Sequence, residues 1–378
     1  MAPKATCSVT VEEFNEFCRE GRLAGTKGNR KAVLILKRHL EQAGFVPCET
    51  NFAPSGRRLF VIFVCIFVAY FVALAALLRG QALGLLLLAV GPILRGWQAM
   101  RKGTPLAVYG VRKDTEMLPG QGKDPAKENG EKARPTVILC AHYDSAFVFF
   151  PFSGSPIKGI FSVFGAVVLS GLLSEVVHPI VGVAFLWLVL GSFGLSFLFG
   201  NAAVGADDNA SGVFAVLECL RRFGHQPGVN IVPVFFNLEE FGLIGSRAWV
   251  RRLRRKTEGI QGLKVDQKHA YVINFDCVGR GRRVFISGSR ELRERLLATK
   301  AAKALEATRT WLYPSDHLVF RSPWKAVSFV RADRFWALDL RWVHSRRDVP
   351  TEIRLEYIAE IATIVEEFVQ DLAVQYGS

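Results

Sequence analysis

Five short polar clusters interrupt an otherwise apolar chain, and each carries groups that ligate metals or move protons. The run 136–141 ends in Ala141-His142-Tyr143-Asp144-Ser145. An imidazole with a carboxylate two residues on can bind a metal while the acid orients the ring. Residues 205–212, GADDNASG, set two adjacent carboxylates on a turn between glycines. That turn could hold a metal ligand, and the same residues serve equally as a helix N-cap. Asn237-Leu238-Glu239-Glu240 ends a second apolar run in two acids. One could ligate a metal while its free neighbour acts as general base. Asn274-Phe275-Asp276-Cys277 again ends an apolar run in an acid, and Ser315-Asp316-His317 and Val343-His344-Ser345 come late.

The pattern around these clusters predicts what positions them. Residues 26–44 read as an amphipathic helix: Val33, Leu34, Leu36, Leu40 and Ala43 recur near helical spacing, and Gly44 stops it. Residues 46–52 and 106–111 read as strands, 117–133 as a polar loop, and 136–141 as a central parallel strand. Then come a helix at 212–223, a strand at 230–236, a basic helix that 249–256 closes, a strand at 270–275, a helix at 291–307, a strand at 326–330 and a terminal helix at 353–374. Strands alternating with helices predict an α/β fold, a mixed, mostly parallel sheet with helices on both faces. In such sheets ligands bind beyond the carboxyl ends of the strands, where the clusters sit.

Half of the 378 residues are apolar, 29 are Phe and 22% are charged. A disordered chain is excluded. The apolar excess is local. Residues 59–78 are uncharged, long enough to span a bilayer. A shorter run, 82–94, follows the Arg79-Gly80 break; Arg95 and Trp97 sit at its end as interface anchors. Residues 159–174 and 180–199 form a second uncharged pair around a turn at 175–179. The expected fold class is therefore the α/β sheet interrupted by two transmembrane helical hairpins. The expected division is 1–56, 101–156 and 201–378 for the catalytic domain, with hairpins at 57–100 and 157–200. Arg57, Arg58, Arg95, Arg101, Lys102 and Lys158 flank the spans, and the hairpin tips carry little positive charge. That bias predicts an integral membrane protein with its catalytic domain facing the cytoplasm. The formal charge of +14 (48 Lys+Arg against 34 Asp+Glu) then faces anionic headgroups, notably through Arg251, Arg252, Arg254, Arg255 and Lys256. Without a recognition motif, nucleic acid is not expected as a partner. The seven scattered cysteines include no C-x-x-C pair, which argues against a disulfide framework.

In order, H-x-D, G-A-D-D-N-A-S-G, E-E-x-G-L-x-G-S, N-x-D, S-D-H and a final His form a specific string. It resembles the co-catalytic zinc exopeptidases of metallopeptidase family twenty-eight, which include secreted bacterial leucyl aminopeptidases and glutamate carboxypeptidase. The likeness runs over about 20–56 and 104–370, outside the hairpins, so a membrane-embedded variant is expected. By position, the resemblance implies that His142, Asp208 and Asp276 hold one cation and that Asp208, Glu240 and His344 hold the other. It implies Glu239 as general base and Asp144 as the group orienting His142. Asp208 rather than Asp207, and His344 rather than His317, match the family's pattern. Asp316, His317, Cys277, Trp336 and Trp342 then become candidates for the substrate pocket or for support of the ligands. His39, His178, His225 and His269 match nothing and are expected to be solvated or capping. The chain departs from the family between Ser145 and Gly205, where residues 146–204 replace a much shorter connection. Phe147, Phe149, Phe150 and Phe152 in that insertion either anchor a hairpin or line a greasy entrance; Phe335, Trp336 and Trp342 either line a pocket or pack the core.

These readings imply a zinc-dependent exopeptidase with two divalent cations, zinc by default and cobalt or manganese compatible with the same ligands. An aminopeptidase removing apolar N-terminal residues from peptides is the leading expectation. A carboxypeptidase, an amidohydrolase acting on N-acyl amino acids and a non-catalytic membrane scaffold remain alternatives. A glutaminyl cyclase fits less well, because the chain supplies a full two-metal set.

Overall fold

The computed structural model describes residues 7–51, 104–112, 134–146, 148, 169–182, 184–185, 188, 202–254, 263, 265–310, 313–333 and 342–377. The chain begins with helices α1 (Val11–Phe17) and α2 (Lys27–Gln42). Thr26 caps α2 by accepting from Asn29 N, and Gly44, at φ +83°, follows its end. Strands β1 (Phe45–Thr50), β2 (Ala107–Arg112) and β3 (Thr136–His142) lead to α3 (Gly212–Phe223) and β4 (Asn230–Phe236). After these come α4 (Ile244–Arg254), β5 (Ala270–Phe275) and β6 (Arg283–Gly288). The chain ends with α5 (Arg290–Leu297), α6 (Lys300–Ala304), β7 (Thr308–Arg309), β8 (Lys325–Ala332) and α7 (Leu355–Gly377).

The strands form one sheet in the order β1-β2-β4-β3-β5-β8-β6-β7. Its centre, β4-β3-β5-β8, is parallel; β1, β2 and the β6–β8 pairing are antiparallel. Successive side chains of a strand point to opposite faces, and the core divides accordingly. Val137, Leu139 and Ala141 of β3 join Ile273 and Phe275 of β5 under α2, α3 and α7. Ile138 and Cys140 join Val232, Val234 and Phe236 on the other face, closed by Trp249 of α4, Phe320 and Trp324. Helix α7 buries Ile358, Ile361, Ala362, Val365, Phe368, Val369 and Leu372, a stripe at helical spacing that runs along α3. Burying one large aliphatic or aromatic side chain contributes roughly 1.5–3 kcal/mol.

The sheet and its two covered faces agree with the sequence; several boundaries differ. The expected helix 291–307 is two helices, because Thr299 takes a hydrogen bond from Ala302 N and starts a new turn. The basic helix that 249–256 are expected to close begins at Ile244. The strand β6 and the helix α1 are not expected from the sequence pattern.

The membrane expectation is corrected. Among the described residues no helix is long and apolar enough to cross a membrane. The fold class is therefore stated without transmembrane hairpins, and neither the four-span localisation nor the membrane-embedded variant of the family stands. The segment 57–100, the loop 117–133, and Phe147, Phe149, Phe150, Phe152, Phe335 and Trp336 lie outside the described residues.

Candidate functional site

The clusters converge because parallel strands end together. The last residue of β3 is His142, and Tyr143 N bonds Phe236 O of β4 at 2.8 Å, so the two strands leave the sheet side by side. Beyond β4, Leu238 adopts φ 60° and turns the chain into Glu239 and Glu240. Beyond β5, Asp276 N bonds Phe329 O of β8 at 3.1 Å, and Cys277 sits at φ 54°. His344 itself has φ 57°. Left-handed backbone at non-glycine residues costs on the order of 1 kcal/mol or more and gathers at functional sites. Before α3, Gly205 at φ 65° lets the 205–208 turn close; a Cβ there would lie 2.3 Å from Asp208 O.

Two histidines face one aspartate. His142 Nε2 lies 3.2 Å from Asp208 Oδ1 and 3.6 Å from Asp276 Oδ1. His344 Nε2 lies 3.0 Å from Asp208 Oδ2 and 2.9 Å from Glu240 Oε2. Asp207 turns elsewhere, its Oδ1 accepting from Gly279 N at 2.8 Å. The sets His142–Glu239–Asp276, His142–Asp208–Glu240 and Asp208–Asp276–Cys277 each bring ligand atoms within 4.8 Å of one another. Asp144 is fully buried. Its carboxylate accepts from Glu239 N and Glu240 N at 3.3 and 3.4 Å, and His142 Nδ1 lies 3.1 Å from its backbone oxygen.

The electrostatics suit a bound cation. Burial drives the Glu239 carboxyl well above the usual range, aided by Glu240, Asp316 and Asp276 against the counter-charge of His142. Burial pushes Glu240 up to about 7. His142 and His344 are both held well above the ordinary imidazole value: burial opposes their charge, but the surrounding carboxylates outweigh it, Glu239 foremost for His142 and Glu240 for His344. Asp208, burial notwithstanding, is held low by its bonds to both histidines. Crowding buried carboxylates is costly unless positive charge compensates them. Glu240 Oε1 is moreover buried without a hydrogen-bond partner among the described residues. Imidazole nitrogens and carboxylate oxygens are the donor set of zinc and its first-row neighbours. The residues present fit a metal.

The other candidates lie around this cluster. Asp316 and His317 are buried; burial pushes Asp316 up to about 7 and His317 down to about 4, and neither ring nitrogen of His317 has a partner among the described residues. Trp342 stacks under Arg280, whose guanidinium carbon is 3.8 Å from the ring centre. Together with Cys277, Tyr313, Val330, Arg331 and Val343, these two residues line a small cavity of about 40 Å³. Of the unmatched histidines, His225 Nε2 meets Ala43 O at 2.8 Å at the end of α2, His178 accepts from Ile180 N, and His269 pairs with Asp266 on the surface. His39 is a correction: it is buried, packed on Phe214. Sequence reasoning also missed Arg22 and Asp348. Asp348 accepts from Asp207 N at 2.6 Å and Asp208 N at 3.0 Å, fixing the backbone of the shared aspartate. Its position four residues past His344 was the available signal.

An α/β sheet whose parallel strands deliver imidazoles and carboxylates to one cluster defines a metal-binding hydrolase architecture. The chain belongs to peptidase family M28, whose model matches residues 126–369. In fold it is similar to a leucine aminopeptidase precursor from Bacteroides thetaiotaomicron (TM-score 0.55, 15% identity, 100% of this chain and 99% of that one). It is likewise similar to the LapA aminopeptidase of Legionella pneumophila (0.55, 13%, 97% and 72%) and to the glutaminyl cyclase of Porphyromonas gingivalis (0.54, 15%, 97% and 99%). A probable lipoprotein aminopeptidase, LpqL, of Mycobacterium tuberculosis is 40% identical over 76 residues, which are 20% of this chain and 14% of that protein.

Proposed function

We propose that the chain is an aminopeptidase that uses two divalent cations, zinc by default, to remove apolar N-terminal residues from peptides. The observation that carries this reading is Asp208, whose two oxygens face different histidines at 3.2 and 3.0 Å. On this reading His142, Asp208 and Asp276 would hold one cation, and Asp208, Glu240 and His344 the other. When bound, such cations supply Lewis acidity toward a peptide carbonyl and toward water. The remaining work falls to the chain. Glu239 takes a proton from the attacking water as oxygen adds to the carbonyl carbon, then delivers it to the amine nitrogen as the C–N bond breaks. Asp144 holds the amides of Glu239 and Glu240 and keeps His142 turned toward Asp208. The apolar wall of Tyr313, Val330 and Val343 receives the side chain of the departing residue.

Two fold neighbours and the partial relative are named as aminopeptidases, which supports the reading. The test is a mixed peptide pool, half of it N-acetylated, incubated with metal-loaded protein with and without chelator and read by mass spectrometry. Chelator-sensitive loss of single residues from free N-termini alone is expected. Trimming from C-termini would replace the reading by a carboxypeptidase. Loss of ammonia from N-terminal glutamine without chain shortening would replace it by the activity named for the Porphyromonas neighbour. No turnover by protein that binds metal would leave a non-catalytic role.

A further inference from the structure

The metal-centre reading leaves unexplained a fully buried arginine far from it in sequence. Arg22 is 0% exposed and sits between α1 and α2, outside the 126–369 segment that matches the family model. Its guanidinium makes three bonds to main-chain oxygens: Nε donates to Tyr143 O at 3.0 Å, Nη1 to Val204 O at 2.8 Å and Nη2 to Gly205 O at 2.7 Å. Tyr143 follows His142, and Gly205 opens the turn that carries Asp208. The fork thus fastens the loop of one candidate ligand to the turn of the shared one. Its face rests on the Phe17 ring, 4.6 Å from the centroid.

The backbone of the same residue repeats the link. Arg22 N donates to Ser145 Oγ at 2.8 Å, and that hydroxyl donates to Ala203 O at 2.8 Å. The approach is close: a Cβ on Gly21 would lie 2.4 Å from Ala202 Cβ. Asn29 extends the link to a third loop. Its Nδ2 donates to Arg22 O at 2.9 Å and to Asn237 Oδ1 at 3.2 Å, and Asn237 Nδ2 returns a bond to Asn29 Oδ1 at 3.3 Å. Asn237 stands two residues before Glu239. One node therefore touches the loops of His142, of Asp208 and of Glu239–Glu240.

We infer that Arg22, with Asn29, is a positioning residue for the metal centre: it sets the spacing of three ligand-bearing loops rather than merely filling the core. A guanidinium presents several donors in a fixed plane, whereas a lysine ammonium keeps the charge without the fork. Groups that orient ligands from behind govern metal affinity by about 10- to 100-fold.

The inference rests on the metal-centre reading and is tested on the full chain with Arg22→Lys. Circular dichroism and melting in chelator report the fold. Competition with a chromophoric chelator reports zinc affinity, and the visible absorption of the cobalt(II) form reports ligand geometry. A folded Arg22→Lys protein is expected to bind zinc about 10- to 100-fold more weakly, with a displaced cobalt band. Unchanged affinity and spectrum in a folded variant, even with a lower melting temperature, would reduce Arg22 to a packing role and overturn the inference. Should Arg22→Lys fail to fold, Asn29→Ala carries the test, with a several-fold loss of zinc affinity expected and wild-type affinity overturning the inference. A wild-type chain that binds neither metal would instead overturn the metal-centre reading itself.

Discussion

Glu239 and Asp208 separate two jobs that adjacent carboxylates can do. Glu239 is half-buried beside His142, and among the described residues no ion pair joins it to His344, while each oxygen of Asp208 faces an imidazole. Glu239→Gln keeps the size and removes the basicity. Turnover is expected to fall about 10²- to 10⁴-fold while bound metal, counted by elemental analysis, stays near the wild-type value. A variant that still cleaves would sink the base assignment. Asp208→Asn acts on both sides of the cluster, so both metal binding and turnover should fall; retention of full metal content would argue against its shared position. The acids at strand ends were legible because an apolar run that stops in a carboxylate is a local signal, visible at Glu239 and Asp276. Arg22 and Asp348 were not. Arg22 meets Val204 across 182 positions, and Asp348 meets Asp208 across 140. A single charged residue in a polar stretch reads as solvated until the partner loops are in place.

Among the elements, α3 does the most to bring the ligands together. It starts where the Asp208 turn ends and packs on the carboxyl end of β5, just ahead of Asp276. The contact has no room for a methyl group: a Cβ on Gly212 would lie 2.2 Å from Asn209 Oδ1 and 2.4 Å from Phe275 O. Asn209 Oδ1 already accepts from Gly212 N, and its Nδ2 donates to Phe275 O, so neither neighbour can yield cheaply. Gly212→Ala should therefore cost about 1–3 kcal/mol, read from the denaturant midpoint, and should weaken metal binding by parting Asp208 from Asp276. A wild-type midpoint would show that the turn accommodates the methyl group. The pattern placed α3, β4 and β5 correctly because each is a single amphipathic or apolar run. It failed where a pattern ignores side-chain capping: Thr299 divides one periodic stretch into two helices. It failed again where uncharged length stood in for a span, since no described helix is long and apolar enough to cross a membrane.

For the whole molecule, the buried cluster sets how stability without metal follows pH. Burial raises Glu240 and Asp316 to about 7 and Asp348 to about 6. Unfolded, these acids ionise near 4. Between those values the folded chain holds protons that the unfolded chain has released, so stability falls as pH rises through the window. His142 and His344, raised above the ordinary imidazole value, act in the same direction: the stability they contribute is complete below that value and is lost as pH climbs through their folded pKa. Asp208, held low, contributes stability above the ordinary carboxyl range and loses it only on further acidification, so it is constant from pH 5 upward. The formal charge of +14 favours the opposite trend, since repulsion eases as histidines lose protons, but exposed charges are screened within about 8 Å at physiological salt. Each pH unit of separation is worth about 1.4 kcal/mol per group, and several buried groups act together. The chelated protein should therefore melt at a higher temperature at pH 5 than at pH 8. Zinc needs the ligands deprotonated and displaces those same protons, so the gap between loaded and chelated melting temperatures should widen steadily from pH 5 to 8. Scanning fluorimetry at three pH values, with zinc and with chelator, measures both trends. A chelated melting temperature that rises over this range would mean that the cluster is already charge-balanced without a cation.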